Sequence, residues 1–278
     1  MDITFLKNIQ YGKNERHILD LYIPQAPVTN SGLILIIHGG GWTAGDKTAH
    51  TQDATYWSEK GYICATMNYR YVDEHTDIFD ELDDITSALK KIKSVCSEHG
   101  FDLKRLLLFG GSAGAHLSLM YAYTRAEQAP VTPVAVFCHC PPTICNTKEF
   151  LYGKNGEFED WKYGVLSFCC GVPVSKETIN NEDVQERLCR MSPIFHVSPD
   201  SVPTGICHGI KDEIVPYEHT LMFLNTLEKN GVTNDLLTYP KSGHAMNEDP
   251  ETDIKAKALM EQYLKNYLFC SPESSLSV

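Results

Sequence analysis

Short apolar runs alternate with amphipathic stretches along nearly the whole chain, which is the pattern of strands and helices in a layered α/β domain. Continuous apolar runs predict fully buried strands of a mostly parallel sheet. These runs are residues 33–37, 62–67, 106–109, 134–138, 204–207 and 236–239. Residues 16–23 alternate between apolar and polar instead, which predicts an antiparallel edge strand. The pattern therefore favours a sheet flanked by helices.

Helical spacing fills the intervals between the predicted strands. The clearest helix has apolar residues three and four positions apart, at Leu82, Ile85, Leu89, Ile92 and Cys96. Gly100 is expected to end it. A second helix is predicted over residues 217–227, and Gly231 is expected to end that one.

One long segment between two predicted strands interrupts this alternation. Residues 141–203 contain a Pro-Pro pair, scattered aromatic side chains and only short periodic pieces. A segment of this length and composition is more typical of a lid over a site than of a structureless loop. The alternative is a crossover helix whose aromatic side chains pack as ordinary core. We therefore predict one α/β domain over residues 1–278, with an inserted cap at about 141–203.

Composition and charge narrow the class of protein. The chain has 278 residues, of which 42% are hydrophobic, and a formal net charge of −12. The first two values are typical of a globular protein, and the charge disfavours binding to nucleic acid or to an anionic membrane surface. The sequence shows no secretion signal, no apolar run of membrane-spanning length and too few cysteines for a disulfide framework. These features predict a cytoplasmic protein with reduced cysteines, unless a signal peptide was removed.

The pattern G-x-S-x-G occurs at residues 110–114, with Ser112 as its serine. A buried strand is predicted before it and a helix after it, which is the context of a nucleophile elbow. Glycines beside the serine allow two backbones to approach closely. Ser112 is therefore the candidate nucleophile, and the alternative is a Gly-rich turn that packs a helix on a sheet.

A serine hydroxyl needs a base, and the base needs a group that holds its tautomer. His244 follows the last predicted strand on a turn-forming loop, and Asp212 follows the strand before it. Glu213 is the immediate rival of Asp212, which we prefer because its shorter side chain is more tightly fixed. The order Ser112, Asp212, His244 is that of an α/β-hydrolase.

Three glycines follow the first buried strand, at residues 39–41, and Trp42 comes after them. Acyl transfer develops an oxyanion that preorganised N–H groups must stabilise, and glycines let those groups approach it. Gly40, Gly41 and Ala113 are the candidate donors. A phosphate cradle is the alternative, but neither a P-loop pattern nor a dinucleotide-binding pattern is present here.

Together these motifs resemble those of the α/β-hydrolase superfamily. The resemblance is carried by residues 38–42, 69–71, 83–84, 110–115, 209–216 and 243–244. Within the superfamily, the chain looks like the esterase/lipase group that includes hormone-sensitive-lipase-like enzymes and bacterial feruloyl or acetyl-xylan esterases. The feruloyl/acetyl-esterase-like branch fits better, because Gly111 stands where hormone-sensitive-lipase-like members usually have Asp, and their N-terminal cap is missing. The resemblance implies Ser112 as nucleophile, Asp212 as acid, His244 as base, and no cofactor.

The resulting prediction is a serine carboxylesterase that acts on short acyl esters, with acetylated oligosaccharides as one candidate substrate class. The aromatic residues Trp42, Tyr71 and Trp161 are candidates for lining the substrate pocket, with ordinary packing as the alternative. Two other functions stay open: an amide hydrolase resembling formamidases or arylamidases, and a catalytically silent binding protein. The expected partner is a small-molecule ester, with no metal, no nucleic acid and no membrane span. The sequence leaves the oligomeric state open, including a homo-oligomer.

Overall fold

The structure, a computed structural model, describes residues 2–29, 31–147, 150 and 160–269. It contains one eight-stranded sheet with the order β1-β2-β4-β3-β5-β6-β7-β8. The strands are β1 (Ile3–Gln10), β2 (Ile18–Pro24), β3 (Gly32–Ile37), β4 (Ile63–Met67), β5 (Arg105–Gly111), β6 (Thr132–His139), β7 (Thr204–Gly209) and β8 (Asn234–Tyr239). The β1-β2 and β2-β4 pairs are antiparallel, and every other pair is parallel.

Helices connect the parallel strands on both faces of the sheet. They are α1 (Thr51–Glu59), α2 (Ile78–Glu98), α3 (Ala113–Thr124), α4 (Asp160–Cys170), α5 (Glu182–Arg190), α6 (Tyr217–Lys229) and α7 (Pro250–Tyr263). A π-helix over Leu264–Leu268 follows α7. In the part of the chain that the structure describes, no helix has the length and apolar composition needed to cross a bilayer.

The apolar runs produce a core on each face of the sheet, as expected of buried parallel strands. In β3, for example, Leu33, Leu35 and Ile37 pack into one cluster with α2 and α3. Ile34 and Ile36 belong to the cluster on the opposite face, to which α1 and α7 contribute. The predicted mostly parallel α/β architecture is therefore confirmed.

Residues 16–23 were predicted to form an antiparallel edge strand; the antiparallel strand is confirmed, but its position at the edge was wrong. The strand there, β2, lies between β1 and β4, and β1 is the edge. In β1 the half-buried residues are Ile3, Leu6 and Ile9, three positions apart. Ile3 packs on the cluster with α1 and α7, whereas Leu6 and Ile9 pack on the opposite cluster. The register shift between Leu6 and Ile9 puts these two residues on the same face although they are three positions apart, and this hides the alternation that a strand normally shows.

The segment between β6 and β7 contributes α4 and α5. Residues 148–149 and 151–159 of the predicted cap lie outside the described residues. In the described part, apolar side chains such as Leu166 and Leu188 are buried against the main core cluster. Trp161, Val165 and Leu166 also face a pocket that contains Ser112. These contacts place α4 over the carboxyl end of the sheet.

Candidate active site

Ser112 lies between β5 and α3 with φ 52° and ψ −121°. This left-handed conformation is costly for a residue with a Cβ, and such strain is concentrated at functional sites. The flanking glycines make the turn feasible, because a Cβ on Gly114 would lie 2.1 Å from the carbonyl oxygen of Ile37. A Cβ on Gly110 would lie 2.4 Å from the carbonyl carbon of Gly114. The local sequence thus forms a strand, a sharp turn and a helix, as predicted.

Asp212 and His244 come from different loops at the carboxyl ends of β7 and β8. The Nδ1 atom of His244 lies 2.7 Å from Oδ2 of Asp212. The Asp212 side chain is fully buried, whereas that of His244 is 21% exposed. Since a carboxylate accepts, Nδ1 is the donor, and Nε2 of His244 is left as the basic nitrogen.

The carboxylate of Asp212 accepts more hydrogen bonds than the one from His244. Its Oδ1 accepts from the backbone N–H groups of Ile214 and Val215 at 2.8 and 2.9 Å. Its Oδ2 also lies 3.1 Å from Nε2 of His208. Burial by itself would raise the pKa of Asp212, but the hydrogen bonds from His208 and His244 hold it well below its ordinary value. Asp212 is therefore an anion at neutral pH.

Glu213, the rival of Asp212, is placed differently. It lines an open pocket at the rim together with Lys211, Lys241 and His244. The carboxylate that contacts the imidazole nitrogen belongs to Asp212. The geometry therefore favours Asp212 over Glu213 as the partner of His244.

The glycine loop after β3 is held open toward Ser112. Gly40 and Gly41 have φ of 118° and 59°, and a Cβ on Gly40 would lie 2.1 Å from the carbonyl oxygen of Ala44. Among the described residues, the backbone N–H groups of Gly40, Gly41 and Ala113 have no hydrogen-bond acceptor. Unused donors beside a nucleophile are what a developing oxyanion requires.

Arg16 supports this loop from behind. Its guanidinium donates to the carbonyl oxygens of Tyr69 and Gly45 at 2.7 and 3.2 Å and lies 3.7 Å from the ring centroid of Tyr71. The Tyr71 hydroxyl also donates to the carbonyl oxygen of Gly45. Tyr71 is absent from the described walls of the cleft and of the pocket beside Ser112. Tyr71 therefore contacts the residues that support the glycine loop, and its role in substrate binding stays a prediction.

Trp42 is anchored through a buried histidine. The indole Nε1–H donates to Nδ1 of His116 at 3.1 Å, and Nε2–H of His116 donates to the carbonyl oxygen of Met191 at 2.6 Å. Burial lowers the pKa of His116 to about 4, which keeps the ring neutral and able to accept from Trp42. The glycine loop, the helix after Ser112 and the end of α5 are connected by these two bonds.

A cleft of about 550 Å³ brings the candidate residues together. Its walls include Gly40, Gly41, Ser112, Trp161 and His244. The structure thus gathers the elbow, the glycine loop and the histidine loop around one open space.

A smaller, apolar pocket of about 30 Å³ opens beside Ser112. Its walls include Trp42, Pro142, Phe150, Val165, Leu166 and Val215. Trp161, which is 52% exposed, borders both this pocket and the cleft. Its lining is almost entirely apolar, so it favours a small apolar group.

A second cavity of about 300 Å³ lies between α1 and α7. It shares His139, Ala245 and Met246 with the cleft. Its other walls combine the rings of Trp57, Phe109, Phe137 and Tyr239 with the charged side chains of Asp53, Asp253 and Lys257. Burial lowers the pKa of His139 to about 4, so its imidazole is neutral where the two spaces meet.

Asp249 is a residue that the sequence reasoning missed. Its carboxylate accepts from the backbone N–H groups of Lys241 and Ser242 at 3.0 and 2.9 Å, and from the Ser242 hydroxyl at 2.6 Å. These bonds fix the loop that carries His244. An Asp directly before Pro250, at the start of a helix, was the available signal.

One group of potential metal ligands occurs among the described residues, namely Cys140, Asp212 and His244, with their ligand atoms within 4.8 Å of one another. Burial, and then the charge of Asp212, raises the pKa of the Cys140 thiol well above its ordinary value. A protonated thiol is a poor metal ligand. Asp212 and His244 are moreover bonded to each other, so this set is better explained as a hydrogen-bonded pair beside a thiol.

Two family profiles match the chain, one to each part. Residues 19–149 match BD-FAE, and residues 172–269 match the prolyl oligopeptidase family. The first match contains the glycine loop and Ser112, and the second contains Asp212 and His244. The two matches therefore divide the candidate site between them.

Individual proteins resemble the chain over most of its length. It is 27% identical over 231 residues to a probable carboxylic ester hydrolase, LipM, of Mycobacterium tuberculosis, covering 80% of this chain and 51% of LipM. It is 25% identical over 263 residues to a probable isoprenylcysteine alpha-carbonyl methylesterase of rice, covering 86% of this chain and 58% of that protein. The chain thus spans about half the length of these curated relatives.

The fold is shared with solved structures. A truncated carbohydrate esterase from gut microbiota superposes with a TM-score of 0.70 at 19% identity, over 93% of this chain and 96% of that chain. At this identity the similarity concerns the fold alone. The eight-stranded sheet, the two family profiles and these relatives agree, and the chain has the α/β-hydrolase fold.

Proposed function

We propose that this protein is a serine carboxylesterase that hydrolyses short-acyl esters through an acyl-enzyme. The observation that carries the proposal is the hydrogen bond of 2.7 Å between His244 and Asp212, with His244 and the strained Ser112 lining one cleft. The similarity to proteins named carboxylic ester hydrolase and methylesterase supports the same reaction.

The proposed mechanism uses only side chains and backbone groups of this chain. Ser112 Oγ attacks the ester carbonyl while His244 Nε2 takes the hydroxyl proton, and Asp212 stabilises the imidazolium. The N–H groups of Gly40, Gly41 and Ala113 stabilise the oxyanion. Collapse of the intermediate breaks the bond to the alcohol, which receives the proton from His244. Water then attacks the acyl-enzyme by the same route, releasing the carboxylic acid and restoring Ser112.

The apolar pocket beside Ser112 supports a short acyl group. With about 30 Å³ free between Trp42 and Leu166, it favours an acyl tail as short as acetyl or propionyl. We therefore infer acetyl-type esters as the preferred acyl class.

The second cavity supports a polar alcohol portion. It continues from the cleft at His139 and presents flat aromatic rings together with the carboxylates of Asp53 and Asp253. Aromatic faces and hydrogen-bond acceptors suit an alcohol with further hydroxyl groups. Acetylated oligosaccharides are the candidate of this kind.

The proposal is tested by the Ser112→Ala variant, with Ser87→Ala as control. Ser112→Ala is expected to lower kcat for p-nitrophenyl acetate by about three orders of magnitude or more and to abolish labelling by a fluorophosphonate. Ser87 is a half-buried residue of α2 whose hydroxyl donates to the carbonyl oxygen of Asp83, and it lines neither the cleft nor the pocket beside Ser112, so its variant should keep both properties. Normal turnover by Ser112→Ala would exclude the mechanism, and a wild-type protein that is never labelled would indicate a silent binding protein.

An amide hydrolase is the second candidate function. The prolyl oligopeptidase match over residues 172–269 favours it, because that part of the chain contains Asp212 and His244. Amides have a poorer leaving group, so protonation by His244 would matter more than for esters. Comparing hydrolysis of p-nitrophenyl acetate with that of p-nitroacetanilide separates the two, since an esterase should strongly prefer the ester.

A further inference from the structure

His208 contacts the same carboxylate oxygen of Asp212 as His244 does. Its Nε2 atom lies 3.1 Å from Oδ2, and His244 Nδ1 lies 2.7 Å from that oxygen. The His208 side chain is fully buried. Two imidazole rings therefore share one acceptor on a carboxylate that has no access to water.

The proton on His208 is fixed by a second contact. Nε2 also lies 3.2 Å from the carbonyl oxygen of Val215, which can only accept a hydrogen bond. Nε2 must therefore carry the proton, and it donates to Asp212. On the far side of the ring, Nδ1 lies 2.8 Å from Oγ1 of the buried Thr220, which holds the ring plane.

We infer that His208 is a positioning residue for the catalytic acid. It orients the carboxylate of Asp212, and its N–H competes with His244 for the negative charge on Oδ2. This inference rests on the proposed function. The backbone N–H groups of Ile214 and Val215 hold Oδ1, so His208 is the group that directs Oδ2 toward His244. By taking part of the negative charge on Oδ2, its N–H also weakens the hold of Asp212 on the proton that His244 must release.

Removal of the His208 donor should therefore shift the pH profile of the reaction in a predictable direction. In His208→Phe the charge of Asp212 acts on His244 alone, so the imidazolium is stabilised and the acidic limb of the pH profile moves to higher pH. The carboxylate also loses one of its four donors, so its orientation is looser and the rate falls. In His208→Gln an amide N–H replaces the donor, and both effects should be largely reversed.

Other charged groups near these rings stay the same in every variant. Besides Asp212, the titratable and charged groups that face His244 are the thiol of Cys140, the imidazole of His139 across the cleft, and the rim side chains of Lys211, Glu213, Lys241 and Glu248. His208 faces Asp212, and the ring of Tyr217 packs edge-on against it at 5.5 Å. A shift of the profile between variants at position 208 is therefore assigned to that position.

The experiment measures the rate of Ser112 phosphonylation by a fluorophosphonate as a function of pH. His208→Phe should react at least about tenfold more slowly at its plateau, as expected for one lost hydrogen bond to a buried charge. Its acidic midpoint should rise by about 0.5 pH unit or more. His208→Gln should stay close to wild type in both quantities. His219→Phe is the matched control. His219 is a buried histidine like His208, but it lies on helix α6 and its Nε2 contacts the hydroxyl of Thr147 instead of Asp212.

The outcomes separate the inference from the proposed function. A wild-type protein that is not labelled at Ser112 contradicts the function itself. Normal labelling with a wild-type rate and midpoint in folded His208→Phe overturns the role of His208 alone, as does an equal effect of His219→Phe. If His208→Phe does not fold, Thr220→Val removes the hydroxyl that holds the ring, and it must shift the midpoint in the same direction or the inference fails.

Discussion

The glycines of the elbow differ in what their surroundings tolerate. Gly114 lies against the backbone of β3, where a Cβ would come within 2.1 Å of the Ile37 oxygen and 2.5 Å of the His38 oxygen. For Gly111, the nearest heavy atom to a Cβ would be Cβ of His139 at 3.9 Å. The two glycines flank the same serine, yet the close approach of backbones requires only Gly114 to lack a side chain.

Gly114→Ala should therefore lower the free energy of unfolding by about 3 kcal/mol or more, because neither backbone can move away without disturbing the sheet. Gly111→Ala should change it by less than about 1 kcal/mol, since the new methyl meets ordinary van der Waals distances. Urea unfolding followed by circular dichroism measures both. Equal destabilisation by the two substitutions would contradict this explanation of the motif.

At the scale of elements, α4 forms one wall of the pocket beside Ser112. Val165 and Leu166 come from successive positions of this helix and face the pocket together with Trp42 of the glycine loop. The Nζ atom of Lys162, one turn earlier, donates to the carbonyl oxygen of Ile214 at 3.0 Å, next to the loop of the acid. The helix thus forms one wall of this pocket and also contacts the loop that carries Asp212.

Leu166→Ala should enlarge the acyl pocket and change chain-length preference. The ratio of kcat/KM for p-nitrophenyl butyrate to that for p-nitrophenyl acetate should rise by about tenfold, the size expected for one or two methylenes in an apolar pocket. Leu188→Ala is the matched control, since Leu188 is fully buried in α5 but does not line the pocket. Both variants should lose about 2–5 kcal/mol of stability. An unchanged ratio in Leu166→Ala would mean that α4 does not limit the acyl chain.

For the whole molecule, buried neutral histidines connect stability to pH. Burial lowers the pKa of His38 and of His116 to about 4, below the value of about 6.5 expected in the unfolded chain. Below about pH 6.5 the unfolded chain therefore binds more protons than the folded protein. The contribution of these rings to stability is fully present above that pH and is lost as the pH falls toward about 4.

The free energy of unfolding should accordingly fall by about 2 kcal/mol for each such histidine between about pH 7 and about pH 5. Urea unfolding at the two pH values measures the change. His116→Gln should reduce the pH dependence, because its side chain does not titrate. His75→Gln replaces an exposed histidine, whose side chain is 83% accessible, and should leave the dependence as it is. A wild-type slope in His116→Gln would contradict the assignment.

The sequence alone determined the parallel core of the sheet, the helices after β4, β5 and β7, and the candidate residues Ser112, Asp212 and His244. These features depend on local signals, namely apolar runs, helical spacing and glycines at fixed offsets. The edge strand β1 was not predicted, because a register shift interrupts its alternation of buried and exposed residues. The α/β-hydrolase fold follows from the order of these local signals along the chain.

Only the tertiary structure decided what depends on contacts between distant segments. It placed Tyr71 against Arg16 and the carbonyl oxygen of Gly45, and it brought His208 to the oxygen of Asp212 that His244 uses. Both residues are ordinary in sequence, since a tyrosine after an arginine and a histidine at a strand end fit many roles. Their positions are fixed by how loops converge at the carboxyl edge of the sheet, and no local pattern records that convergence.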